Sequence, residues 1–137
     1  MTKTDIPPST RPPLHIIDSE YDAIAGIAIR AEHSQPELAR LLMAELDRAE
    51  ICDAASLPPD TAAMHSRISF IDEGSGASRT VELVYPQEAD IEAGKISILT
   101  HVGAGLIGMR AGSSILWPDR DGRERRLKIV RIERPAP

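Results

Sequence analysis

One cysteine, Cys52, and four aromatic side chains, Tyr21, Phe70, Tyr85 and Trp117, are all that this 137-residue chain has of those types. A single cysteine excludes an intrachain disulfide, and a reducing, cytoplasmic setting is the simplest expectation. So few aromatics do not supply the base-stacking platforms that single-stranded nucleic acid needs. No apolar run approaches the roughly 20 residues of a spanning helix, so no membrane contact is expected. The first 13 residues, MTKTDIPPSTRPP, lack both an apolar h-region and any periodicity, and read as a disordered leader, not a secretory signal. His15, His33, His65, His101 and Cys52 lie at no spacing that builds a zinc site. No metal and no cofactor are expected.

Charge is present but unevenly placed. The net charge is −5, yet residues 1–60 carry 5 basic against 11 acidic side chains, while residues 61–137 carry 11 against 10. Arg120, Arg123, Arg125, Arg126, Lys128, Arg131 and Arg134 crowd the C-terminal segment. Such a segment can touch phosphate, but a solvated strand face explains it equally well, and direct nucleic-acid contact stays open.

Two helical stripes occupy the first third. Ile17, Tyr21, Ile24 and Ala28 step at helical spacing behind a candidate capping box of Ser19 and Asp22. Leu38, Leu42, Leu46 and Ala49 do the same behind Ser34, with Pro36 in the first turn and Glu37 at the capping-box position. Together they predict a short antiparallel helical hairpin over 14–52 whose tip holds Glu32, His33, Ser34 and Gln35. Residues 53–64, with Pro58 and Pro59, read as a linker and hinge. Beyond it the period becomes two: Ile68 and Phe70, a glycine turn, then Val81, Leu83 and Tyr85 predict a β-hairpin. A strand at 96–99, a helical turn at 102–109, a strand around 113–117 and another at 125–133 complete the expectation. The fold class is α+β: a helical hairpin followed by a mostly antiparallel β domain, 65–137, with one short helix. The chain is expected to be a monomer.

Residues 96–117, ISILTHVGAGLIGMRAGSSILW, concentrate the signal. Ile96, Ile98 and Val102 point to a buried face, and Gly103, Gly105 and Gly108 allow close backbone approach. No acid and base are paired there. Leu99, Thr100, His101 and Val102 stand where a strand hands over to a helix, the kind of rim a rigid scaffold offers to a partner.

Four segments carry a family resemblance: LLMAELDRAEI (41–51), MHSRISF (64–70), ELVYP (82–86) and GLIGMRAGSSILWP (105–118). In that order and spacing they resemble the bacterial Rnk family, regulators of nucleoside diphosphate kinase, and the C-terminal part is similar to the second domain of the Gre transcript-cleavage factors. The resemblance implies an FKBP-like C-terminal domain that docks on bacterial RNA polymerase and a coiled-coil hairpin directed at the secondary channel. It assigns docking to Leu99, Thr100, His101 and Val102. Two residues depart from the Gre pattern, His101 standing where a proline is usual and Leu99 where an acid is usual. Gre factors carry acidic residues on a much longer hairpin to help hold a catalytic magnesium. Helices of about 14 residues reach only about 20 Å, so Glu32 and Glu37 are expected to be too short of a metal held elsewhere.

Enzymatic alternatives fare worse on the residues. Ser66 and His65 are adjacent in an expected strand and point to opposite faces, as exposed polar positions. An FKBP-like fold raises peptidyl-prolyl isomerisation, for which Phe70, Tyr85 and Trp117 are the available aromatics, each readable as core. Cys52 reads as a small packing residue. The expectation is a non-enzymatic, cytoplasmic transcription regulator that competes with Gre factors. A transcript-cleavage factor and an isomerase are the alternatives.

Overall fold

The computed structural model describes residues 13–118 and 121–135. Its first element is one the periodicity does not reveal: β1 (His15–Ile17) pairs in parallel with β2 (Glu50–Cys52), His15 opposite Glu50 and Ile17 opposite Cys52. Three residues are too few for a period to register, and Ile17 and Cys52, read as helix ends, are strand ends. Between the two strands run α1 (Asp18–Arg30) and α2 (Pro36–Arg48), so the ladder closes the base of the helical hairpin.

Neither expected capping box forms. Ile17 occupies the N-cap of α1 with no side-chain bond, and Asp18 instead accepts the Ser19 N–H at 2.7 Å. Gln35, not Ser34, is the N-cap of α2, because Pro36 at N1 needs no partner for its missing N–H. The stripes themselves hold. Ile24, Ala28, Leu38, Leu42 and Leu46 are buried. The surprise is Glu45, which is 1% exposed and takes a two-pronged bond from Arg48, Nη2–Oε1 2.9 Å and Nε–Oε2 3.3 Å. An arginine fork satisfying both carboxylate oxygens is what permits a charge to be buried there.

Residues 53–64, expected as a hinge, are bonded into the body. A 3-10 turn, Ala54–Ser56, is capped by the Asp53 carboxylate, and Leu57, Ala62, Ala63 and Met64 are buried. The Ala62 N–H donates to the Met109 carbonyl and the Gly108 N–H to the Ala62 carbonyl, both at 2.8 Å. One buried cluster runs from Leu14, Ile24 and Leu42 through Met64 to Ile98, Leu106, Trp117 and Ile129. The helical hairpin therefore shares its core with the sheet.

That sheet has the order β5-β4-β3-β7-β6, with β3 (Arg67–Asp72), β4 (Ser78–Val84), β5 (Lys95–Ser97), β6 (Ser114–Pro118) and β7 (Glu124–Glu133). It is antiparallel except at its edge, where β5 runs parallel to β4. Two 3-10 turns, Pro86–Glu88 and Ile91–Ala93, supply the crossover, and Tyr85 lies before the first of them, not in β4. In β7, Leu127 and Ile129 alternate inward, and then the register shifts: Ser69 pairs with Arg131 and Phe70 with Ile129. Val130 is left as the bulge, 51% exposed, so Ile132 can return to the core three residues after Ile129. Strict alternation places Val130 outside for the right reason and Ile132 outside for none.

Where α1 meets the segment before β3, Glu20 is half-buried and its Oε1 accepts the Met64 N–H at 3.1 Å. Burial pushes its carboxyl above the ordinary 4.5, against the lowering effect of the Met64 N–H, His65 and Arg134. A carboxyl whose folded pKa is raised contributes stability in full below pH 4.5 and loses it as pH rises through the folded value. Glu20→Gln keeps an acceptor oxygen but cannot ionise. Its urea midpoint should gain on the parent's between about pH 4 and pH 7, whereas a difference independent of pH would refute this origin.

Candidate functional site

The rim is held by its own hydroxyls. Ser97 Oγ accepts the Leu99 N–H at 2.9 Å, Thr100 Oγ1 donates to the Ser97 carbonyl at 2.7 Å, and the same oxygen accepts the Gly103 N–H at 3.0 Å. Thr100 is thus the N-cap of α3 (His101–Leu106). The helix begins at His101, one residue before the expected start, and β5 ends at Ser97. Ile98, Leu99 and Thr100 form the turn between them. Of the apolar positions expected inside, Ile98 is fully buried, while Ile96 and Val102 are half-buried.

Glycine is obligatory at this turn. A Cβ on Gly103 would lie 2.2 Å from the Ser97 carbonyl oxygen and 3.0 Å from the Ile98 Cα. Gly108, at φ +78°, would drive one into Leu14 Cδ1 at 2.8 Å. From the other side, the Trp117 indole Nε1–H donates to the His101 carbonyl, tying α3 to β6.

What the sequence cannot show is the company the rim keeps. Leu99, Thr100, His101 and Val102 line a cleft of about 550 Å³ together with Gln35 and Leu38 from the start of α2 and Arg79 from β4. Ser34 and Leu99 both line a neighbouring cleft of about 300 Å³, with Pro86 and Gln87. Two of the expected tip residues thus stand beside the expected rim. The acids do not join them. Glu32 lines a separate groove along the outer side of α2 with Arg40 and Asp47, and Glu37 and His33 are exposed. Arg79 is the residue that sequence reasoning missed, since an exposed strand arginine has no distinguishing signal. Its guanidinium lies 5.9 Å from the centre of the Phe70 ring.

Other candidate groups are accounted for locally. His65 adopts φ 69°, and its Nε2 lies 2.9 Å from Glu88 Oε1, while its ring meets Tyr85 edge-on at 5.8 Å. The His65 hydrogen bond, helped by the Tyr85 N–H, holds the Glu88 carboxyl below its ordinary value. Ser66 was expected to be exposed but is fully buried, its Oγ accepting the Ala63 N–H at 3.1 Å. The two residues do not form a nucleophile and base. Burial pushes the Cys52 thiol up, and Asp53, Asp18 and Glu50 push it the same way, opposing formation of a thiolate. Among the described residues no helix is long and apolar enough to cross a membrane.

The chain is similar to known proteins over most of its length. Residues 57–134 match the family described as transcription elongation factor, GreA/GreB, C-term. Over 124 residues the chain is 32% identical to the regulator of nucleoside diphosphate kinase of Escherichia coli (strain K12), covering 90% of this chain and 91% of that protein. A transcription elongation factor GreA from Rhodospirillum rubrum is 40% identical over 68 residues, 50% of this chain and 43% of that protein. A solved structure of a prokaryotic transcription elongation factor GreA/GreB from Nitrosomonas europaea has a TM-score of 0.70 at 33% identity, covering 90% of this chain and 100% of that one. The chain therefore belongs to the family of the regulator of nucleoside diphosphate kinase, and its C-terminal part to the GreA/GreB C-terminal family.

Proposed function

We propose that this chain is a cytoplasmic transcription regulator without enzymatic activity that binds bacterial RNA polymerase through Leu99, Thr100, His101 and Val102. Its hairpin then lies at the secondary channel, where it competes with Gre factors and does not stimulate transcript cleavage. One observation carries the reading: all four rim residues share a single cleft with Gln35 and Leu38 of the hairpin. A partner seated on the rim meets the hairpin at the same time. Helices of 13 residues each, packed into the common core, extend only about 20 Å, which favours occupation of a site over delivery of carboxylates to a distant metal.

The test is capture of core RNA polymerase by the tagged protein, with a GreA protein as competitor. Retention that the competitor abolishes is the expected result. His101→Asp is the informative variant, because the His101 side chain makes no hydrogen bond among the described residues and an acid at a helix's first position is tolerated. An unpaired carboxylate at a desolvated contact costs about 2 to 5 kcal/mol, so capture should fall by more than about tenfold. Capture that His101→Asp leaves unchanged would refute the placement of the rim. In stalled transcription complexes, cleavage that depends on Glu32 or Glu37 would instead establish a cleavage factor.

A further inference from the structure

A second cleft, of about 370 Å³, opens beside the first and shares Arg79, His101 and Val102 with it. Its floor is Phe70, Trp117 and Leu127, which are 3%, 4% and 5% exposed. Its mouth carries Arg79, Arg125 and His101. We propose that this cleft binds an extended peptide segment of the partner protein that places a carboxylate beside a bulky apolar side chain. The inference deepens the docking reading and rests on it for the source of the segment.

Charge, shape and continuity argue for that ligand. Arg79 is held over the Phe70 ring, and among the described residues no carboxylate pairs with it. A guanidinium fixed against an aromatic face loses little side-chain freedom when it takes a carboxylate in its fork. Asp72, which lies 3.7 Å from Arg125, is the acid among the described residues lining this cleft, so the mouth has a cationic excess. Below the mouth the wall is apolar, and the volume falls at the low end of the range for ligand pockets, roughly 300 to 1,000 Å³. A ligand must therefore combine an anionic group with an apolar body.

The shared walls decide for a peptide over a compact small molecule. Arg79, His101 and Val102 line both clefts, so the two adjoin, with Phe70 and Trp117 in one and Gln35 and Leu38 in the other. An extended chain can reach across both, while a small carboxylate fills one. Nucleic acid fits poorly, since two rings in one floor, among four aromatics in the whole chain, do not make the series of stacking platforms that successive bases need.

Trp117 is the sole tryptophan and lies in the floor, so it reports occupancy directly. The probe is a capped hexapeptide alternating glutamate and leucine, titrated by Trp117 fluorescence and by calorimetry against the full chain. Binding with Kd below ~1 mM is expected, weakened about tenfold or more when glutamine replaces glutamate in the peptide or when the protein carries Arg79→Gln, and weakened by a smaller factor in Arg79→Lys, which keeps the charge and loses the fork. Equal affinity for the glutamine peptide, indifference to Arg79→Gln, no binding at several-fold higher peptide, or equal binding of isovalerate or a single-stranded oligonucleotide would each overturn the proposal. Peptide binding needs no polymerase. A protein that binds the peptide but not polymerase loses the docking reading and keeps the cleft, and the reverse result loses only the cleft.

Discussion

Gly103→Ala is expected to lower the melting temperature by roughly 10 °C and to abolish capture of polymerase even where the variant is still folded. The added Cβ would sit 2.2 Å from the Ser97 carbonyl oxygen, an atom of backbone that no rotamer change can move away. Relief requires either displacing β5, whose Ser97 pairs with Val84, or shifting α3, whose His101 carbonyl is bonded to Trp117. Overpacking of this kind costs about 1 to 3 kcal/mol and more against backbone, and a domain of this size loses about 3 to 5 °C per kcal/mol. Both routes of relief move Leu99, Thr100 and His101, so function should fall further than stability. Gly26→Ala is the matching control. A Cβ there meets only the flexible end of Arg30, at 3.2 Å, and a mid-helix glycine gives way to alanine with a gain of about 0.5 to 1 kcal/mol. Calorimetry on the pair settles the matter: a Gly103→Ala protein as stable as its parent would mean that the turn is not built as described.

Leu42→Ala should cost about 2 to 5 kcal/mol and should do so for the whole molecule at once. Leu42 is fully buried on α2 within the cluster that includes Ile98, Leu106 and Trp117. If the helical hairpin were a separate appendage, loss of Leu42 would melt the helices and leave the environment of Trp117 untouched. In a shared core, helical ellipticity and Trp117 fluorescence fall together in a single transition at a lower denaturant concentration. Two separated transitions, with Trp117 holding to the parent's midpoint, would show that the hairpin folds on its own.

The elements written into this chain are those with a long enough period. Helical stripes of three and four residues' spacing located α1 and α2, and alternation located β3 and β4. Where the sequence misled, the signal was short or was overruled by neighbours. Ser19 and Ser34 look like caps, but the chain enters α1 directly from β1, and Pro36 sets the start of α2. Glu45 lies outside the apolar stripe Leu38, Leu42, Leu46 and is nevertheless buried, with Arg48 one turn later satisfying it. Ser66 looks like an exposed strand start and is buried, because a positive φ at His65 turns the chain first.

The candidate site divides in the same way. That residues 99–102 form a rim between strand and helix, and that glycine is needed just after it, followed from the residue types in 96–117, since a threonine cap and a glycine-punctuated turn are local properties. The family too was legible, because it resides in the order of short local motifs. That the rim faces Gln35 and Leu38, that Arg79 reaches it from β4, and that Phe70 and Trp117 floor an adjoining cleft are contacts between residues far apart in the chain. No periodicity encodes them. They follow from the packing of one hydrophobic core, which fixes where α2, α3 and the sheet lie against one another only once all three are present.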